Sequence, residues 1–253
     1  MRKRIDAVNA YIQARDEVKL CELEKLLPDV SAMTLRRDLE QLEKKGEIIR
    51  IRGGARSIKS LSKRMIREDI YSRRMQENPD GKKIIGSKAA LLLNENESIF
   101  IDSGTTAMFM AESMPDMSLA VLTGAPNVAI ELTRCKKAEV IIIGGRLSME
   151  NFSVSGIASV DFVKNINIDT AFVSTSGFSL ENGFTSGSLN ESEIKKAVIE
   201  KAKRVVLMMD RSKIDVSHMF TFARLDDIDV LVTDEPLPTH VLNEVKAKGI
   251  KII

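Results

Sequence analysis

The sequence predicts a two-part chain: a small basic module of short helices with a hairpin, then a larger α/β domain on a mostly parallel sheet. Three features point to this. The first 77 residues hold 19 Lys+Arg against 13 Asp+Glu, an excess of six, whereas the remainder is acidic by four. Apolar residues recur at helical spacing as far as residue 44 and then change to alternation. From about residue 78, short aliphatic runs alternate with helical stretches, which is how a parallel sheet covered on both faces reads.

Composition narrows the function classes. At 253 residues, with 43% hydrophobic and 29% charged residues, the chain can bury a large core plus a small one. Aromatics are 4% and Trp is absent, so the cores are aliphatic. No apolar run is long enough for a membrane helix. The start, Met1-Arg2-Lys3-Arg4, has no apolar stretch behind it, so no signal peptide and a cytoplasmic location are expected. Cys21 and Cys135 are far apart, and only His218 and His240 are available as histidines. No disulfide framework, metal site, cofactor or nucleophilic triad is expected.

In the basic module, residues 3–15 read as a first helix and residues 19–27, with Leu20, Leu23 and Leu27 on one face, as a second that Pro28 stops. Ser31 suits the N-cap of a third helix, with Val30 and Leu35 as a hydrophobic staple. Leu35, Leu39 and Leu42 face inward, while Thr34, Arg36, Arg37, Glu40 and Lys44 face out, and Gly46 ends the helix. In residues 47–58, Ile49 and Ile51 alternate with Arg50 and Arg52 before Gly53-Gly54, a hairpin with a basic tip. Three helices and a hairpin over residues 1–58 make a winged helix-turn-helix, with the helix-turn-helix at about 20–39.

Residues 59–77, dense in charge, read as a linker. The α/β domain spans 78–253 and opens with Asn78 as N-cap and Pro79 in the first helical position. Helices are expected at 80–93, 105–114, 126–134 and 190–202. Strands are expected at 97–102, 118–123, 139–143, 169–174, 204–210 and 228–233.

Adjacent arginines near the start of an outward helical face can fork onto guanine edges or phosphates, so Arg36 and Arg37 are candidate DNA-binding residues. Ser31 and Thr34 suit phosphate oxygens, and Arg50 and Arg52 suit phosphates or the minor groove. One of the two helix arginines can equally be structural. In the larger domain, Asp102-Ser103-Gly104-Thr105-Thr106 follows a strand and opens a helix, offering amides and hydroxyls to an anionic ligand. Taken alone, such a join is more often a plain N-cap turn. Lys213, in Asp210-Arg211-Ser212-Lys213, follows a sheet strand, where open α/β folds bind ligands.

The stretch Val30-Ser31-Ala32-Met33-Thr34-Leu35-Arg36-Arg37-Asp38-Leu39, followed by Leu42-Glu43 and Arg52-Gly53-Gly54-Ala55, closely resembles the DeoR family of bacterial transcription regulators. From about residue 78 the chain resembles that family's effector domain, through Asp102–Thr106, Gly144-Gly145, Ser176-Gly177, Lys195 within Glu191-Ser192-Glu193-Ile194-Lys195-Lys196, and Asp210–Lys213. The resemblance implies a fold similar to ribose-5-phosphate isomerase and the CoA-transferases. It also implies a DNA-binding regulator, a repressor of carbohydrate metabolism acting on double-stranded operator DNA as a homodimer or homotetramer and controlled by a phosphorylated sugar. Asp102, Ser103, Gly104, Thr105, Thr106, Gly144, Gly145, Lys195 and Lys213 are then the effector-binding residues, with Lys196 an alternative to Lys195. Where the family has Thr-Asn after its second sheet strand, this chain has Thr123-Gly124. Phe184-Thr185-Ser186, flanked by Gly183 and Gly187, reads as a flexible rim. The alternative is a sugar-phosphate isomerase with an appended nucleic-acid module, Asp102 acting as base; no second acid–base partner is evident in the sequence.

Overall fold

The computed structural model describes residues 2–15, 17–51, 53–57 and 71–253. The chain divides into two compact units, Met1–Arg67 and Glu68–Ile253. Arg52 and residues 58–70, most of the expected linker, lie outside the described residues.

The first unit runs α1 (Arg2–Arg15), β1 (Glu17–Lys19), α2 (Leu20–Leu26), α3 (Ala32–Lys44), β2 (Ile48–Ile51) and β3 (Gly54–Ser57). Ile5, Val8 and Ile12 of α1, Leu23 of α2 and Leu35, Leu39 and Leu42 of α3 close one aliphatic core, with Val18, Ile48 and Ala55 beneath them. Two expectations need correcting. Residues 17–19 form a strand, not a lead into the second helix: β1 pairs antiparallel with β3 and makes the hairpin three-stranded, in the order β1-β3-β2. Within β2 the inward residue is Ile48, fully buried, while Ile49 is exposed. One position of register moves every side chain to the opposite face, so alternation counted from Ile49 started on the wrong one.

The second unit contains α4 (Tyr71–Gln76), α5 (Pro79–Ala90), β4 (Ser98–Ile101), α6 (Thr105–Ser113), β5 (Leu119–Thr123), α7 (Pro126–Glu131), β6 (Ala138–Ile142), β7 (Arg146–Leu147), β8 (Val154–Ser155), α8 (Ile157–Lys164), β9 (Ile168–Ser174), β10 (Gly177–Ser179), β11 (Gly183–Ser186), α9 (Leu189–Lys201), β12 (Ala202–Met208), β13 (Phe220–Ala223), β14 (Val230–Val232), α10 (Thr239–Ala247) and β15 (Lys251–Ile252). Seven strands make a wholly parallel sheet in the order β15-β14-β12-β9-β4-β5-β6. Successive residues of β12 show why both faces are covered. Val205 and Leu207 enter one core with α8, α9 and α10 residues, while Val206 and Met208 enter the other with α5, α6 and α7 residues. Asn78 caps α5, its side chain accepting from the Gly81 amide.

Sheet order places the functional region. The chain leaves β4 towards β5 and β6, then returns to lay β9 on the other side of β4 before continuing to β12, β14 and β15. The order therefore reverses between β4 and β9. The crevice beyond the carboxyl ends of the strands at such a reversal is where open α/β sheets take their ligands. One expectation fails nearby. Phe184-Thr185-Ser186 is no rim but β11, a buried strand paired with both β10 and β13, with Phe184 in the core.

Candidate functional site

The DNA-reading candidates sit on α3. Ser31 is its N-cap: the hydroxyl accepts from the Thr34 amide at 3.3 Å and lies 2.9 Å from the Thr34 hydroxyl. Arg36 and Arg37 are exposed, and among the described residues neither has an ion-pair partner. Asp38, next in the chain, is buried and takes both Arg4 nitrogens, at 2.7 and 2.9 Å. This fork ties α1 to α3, and it holds the Arg4 guanidinium above its ordinary pKa. The acid beside the two arginines is thus committed to the fold and does not neutralise them. Arg50 differs. Its guanidinium reaches Glu43 at 2.7 Å and Glu40 at 3.1 Å, and Glu43 is held below the usual carboxylate range by those hydrogen bonds. Arg50 joins β2 to the second half of α3, so a phosphate must compete with two carboxylates for it.

In the second unit the switch point is built around Asp102, just past β4. One carboxylate oxygen, Oδ2, accepts from the Ser174 amide at 2.9 Å and the Ser174 hydroxyl at 2.7 Å, across the strand reversal at the end of β9. The same oxygen lies 2.9 Å from Lys195 Nζ, whose side chain is 4% exposed against 3% for Asp102. Lys195 also donates to the Ser174 carbonyl at 2.6 Å and sits over the Phe222 ring. Lys195 is buried at the site and Lys196 is exposed, which separates the two candidates. Gly104 precedes α6 at φ +108, a conformation open to glycine, and this brings the first amides of α6 round behind Asp102 and Ser103. Ser103, Thr105 and Thr106 are buried there.

A narrow cleft of about 10 Å³, room for about one water, lies at this point, lined by Asp102, Ser103, Gly124, Ser153, Val154 and Glu191 among others. Glu191, one helical turn before Lys195 on α9, is buried and accepts from Asn151 Nδ2 at 2.5 Å and the Ser186 hydroxyl at 3.2 Å. Glu191 is thus a second carboxylate in the same cleft as Asp102, a residue that the sequence reading did not place there. Gly144-Gly145 follows β6; the Gly144 carbonyl accepts from Ser159 at 2.7 Å. A Cβ on Gly145, at φ +154, would collide with that hydroxyl and with the Ser155 carbonyl. Neither glycine lines the cleft; Gly145 backs onto Val154, which does. Gly124 does line it: its carbonyl accepts from the Val154 amide at 2.7 Å, and a Cβ would lie 3.2 Å from the Val154 carbonyl.

Lys213 is not in this cleft. It ends a 3-10 turn over Arg211–Lys213 that the buried Asp210 caps through the Ser212 amide and hydroxyl. Its Nζ is 4.0 Å from Glu77, just past α4. Beside it is Lys82, fully buried, whose Nζ donates to the Arg74 and Glu77 carbonyls at the end of α4. Burial, and secondarily the charge of Lys213, push the Lys82 ammonium down to about 8.

Two family models match the two units. One, described as the DeoR-like helix-turn-helix domain, covers residues 4–61, and the other, described as the DeoR C terminal sensor domain, covers residues 77–235. The chain belongs to the DeoR family.

Other DeoR-type relatives align along most of it. The HTH-type transcriptional regulator GlpR of Haloferax volcanii is 34% identical over 88% of this chain and 86% of its own. GolR of Listeria innocua is 30% identical over 99% and 97%, and IolR of Bacillus subtilis is 32% identical over 92% and 91%. Among solved structures, ribose 5-phosphate isomerase A from Methanocaldococcus jannaschii is 14% identical over 55% of each chain, with TM-score 0.41. The tetrameric eIF2B-beta2-delta2 complex from C. thermophilum is 12% identical over 70% of this chain and 62% of that chain, with TM-score 0.46. Every residue that lines the DeoR cleft falls within the matched sensor-domain span. Among them, Glu191, Ser153 and Gly124 join the set read from the sequence, with Ser174 and Asn151 behind them.

Proposed function

We propose that this DeoR-family regulator is a cytoplasmic repressor of a carbohydrate-metabolism operon, released from or held on its operator by a phosphorylated sugar. α3 reads the major groove with Arg36 and Arg37, while Ser31 and Thr34 face the phosphate backbone. Arg50 reaches a phosphate only by leaving Glu40 and Glu43; Arg52, outside the described residues, is a further candidate for a phosphate or minor-groove contact. Two-fold operators pair with two-fold proteins, so the working form is a homodimer or homotetramer.

The observation that carries the sensor half is the buried Asp102–Ser174–Lys195 cluster at the strand reversal. It divides the ligand by chemistry. Lys195 already faces a carboxylate 2.9 Å away, and Glu191 adds a further negative charge, so this end of the cleft repels a phosphate and favours neutral hydroxyls. The phosphate belongs with the amides and hydroxyls of Ser103–Thr106 at the start of α6. Gly144-Gly145 shapes the wall, and Lys213 adds positive charge on the same carboxyl edge of the sheet. Effector control requires only that the sugar bind one state of the regulator better than the other.

A melting-temperature screen against pentose and hexose phosphates tests this. One phosphorylated sugar is expected to raise the transition of the sensor unit, its dephosphorylated form is not, and the same compound is expected to change operator affinity. No response to any phosphorylated sugar overturns the sensor assignment. The two carboxylates in the cleft favour one further reading, an isomerase, with Glu191 or Asp102 moving the proton. Incubation of purified protein with the binding sugar separates the two: binding without turnover supports the regulator, and isomerisation at a useful rate supports the enzyme.

A further inference from the structure

Met33 is the large apolar side chain on the outer face of α3, 66% exposed. Its setting distinguishes it from an ordinary surface methionine. Helical spacing puts Met33, Arg36, Arg37, Glu40 and Lys44 on one stripe at i, i+3, i+4, i+7 and i+11, opposite the stripe of Leu35, Asp38, Leu39 and Leu42 that the core covers. Met33 stands at the N-terminal end of this outward stripe, in the first turn, where helices of this class meet base edges. The other polar side chains of that turn are engaged: Ser31 and Thr34 hydrogen-bond each other, and Ser31 also caps the helix. What the first turn presents outward is therefore a flexible thioether chain beside two arginines with no ion-pair partner among the described residues.

We infer that Met33 is a base-reading residue of α3, which selects a thymine by packing its side chain on the 5-methyl group in the major groove, next to bases or phosphates held by Arg36 and Arg37. The chemistry is that of apolar contact with the one methyl group the major groove displays. An unbranched thioether adapts to that surface without a fixed rotamer. The inference rests on α3 being the reading helix. It goes beyond it in assigning the base and the group that is read.

The full-length protein is used to select its preferred duplex from a randomised library. Each thymine of the selected half-site is then replaced in turn by uracil, which keeps the base pair and removes only the methyl. Binding is measured by fluorescence anisotropy at one fixed salt concentration. At one thymine per half-site the swap is expected to weaken wild type about fourfold, the burial of one methyl-sized group. Met33→Ala is expected to lose a similar factor on the thymine duplex and to be indifferent to the swap, and Met33→Leu to retain most of the sensitivity. Unchanged melting temperatures show that both variants fold. The inference is overturned if no thymine swap depends on residue 33, or if the selected half-site contains no thymine. Arg36→Ala and Arg37→Ala keep the two levels apart. If they too leave binding intact, α3 is not the reading helix; if they abolish preference while residue 33 shows no coupling, only the assignment of Met33 fails.

Discussion

Three consecutive residues on α3 have opposite duties. Arg36 and Arg37 project from the fold, whereas Asp38 is buried and forked onto Arg4. Replacing both arginines by alanine is expected to leave the melting temperature within about a degree of wild type, because exposed positions contribute little to stability, and to weaken operator binding at least tenfold in a gel shift. Asp38→Asn is expected to do the reverse at first order. It weakens the Arg4 fork and destabilises the DNA-binding unit by about 2 kcal/mol, read by thermal unfolding. Operator binding falls only as far as the unfolded fraction grows, so it recovers on cooling. The sequence showed the three side by side in one motif and could not separate them. The partner of Asp38 lies 34 residues away on α1, beyond the reach of any local pattern.

The helix α4 is fastened to the sensor domain by a lysine from the next helix. Lys82 reaches the Arg74 and Glu77 carbonyls from inside the protein, and its proton is loosened to about 8 by burial and by Lys213. Between about pH 8 and the ordinary lysine value of 10.5, the unfolded chain holds this proton and the folded chain does not. Stability contributed by this site therefore rises with pH across that window and is flat below it. The difference in unfolding free energy between wild type and Lys82→Met is expected to move in favour of wild type from pH 8 to pH 10. In a Lys213→Met background the onset shifts upward, because the largest charge-based cause is gone. A flat difference in both backgrounds would show that Lys82 keeps an ordinary proton.

The elements themselves were unequally readable. The central strands announce themselves because each carries an aliphatic run sealed on both faces, as in Ala171–Val173 and Val205–Met208. β1, β7, β8 and β15 are two or three residues long and hold no period. α8 passed unnoticed because Ile157 and Phe162, which would mark a buried face, are exposed. β11 reads as a rim in the sequence because two glycines flank Phe184–Ser186, yet its middle residues are among the most buried. At the site, Asp102–Thr106 stood out as a strand–loop–helix join. Its partners did not: Ser174 lies 72 residues away and is brought near by strand order, and Glu191 is one of several acids on a helical stretch.

The whole chain consists of two units with separate cores, and this sets how it should melt. Calorimetry is expected to resolve two transitions, since each hydrophobic core among the described residues lies within one unit. Operator DNA should raise one and the effector sugar the other, each by about 2.7 kcal/mol at a hundredfold excess over its dissociation constant. Linkage makes the coupling reciprocal: when both ligands are present, the shift each causes should change by the same free energy. One transition that both ligands move equally would mean that the units unfold together.

The bond from Ser174 to Asp102 joins the two flanks of the central sheet at the place where they were laid down in opposite directions. β5 and β12 lie three positions apart in the sheet, one on each flank of this bond. A guest that tightens this one clasp should slow deuterium uptake on both flanks at once, and the imprint of a small metabolite would reach far beyond the atoms it touches.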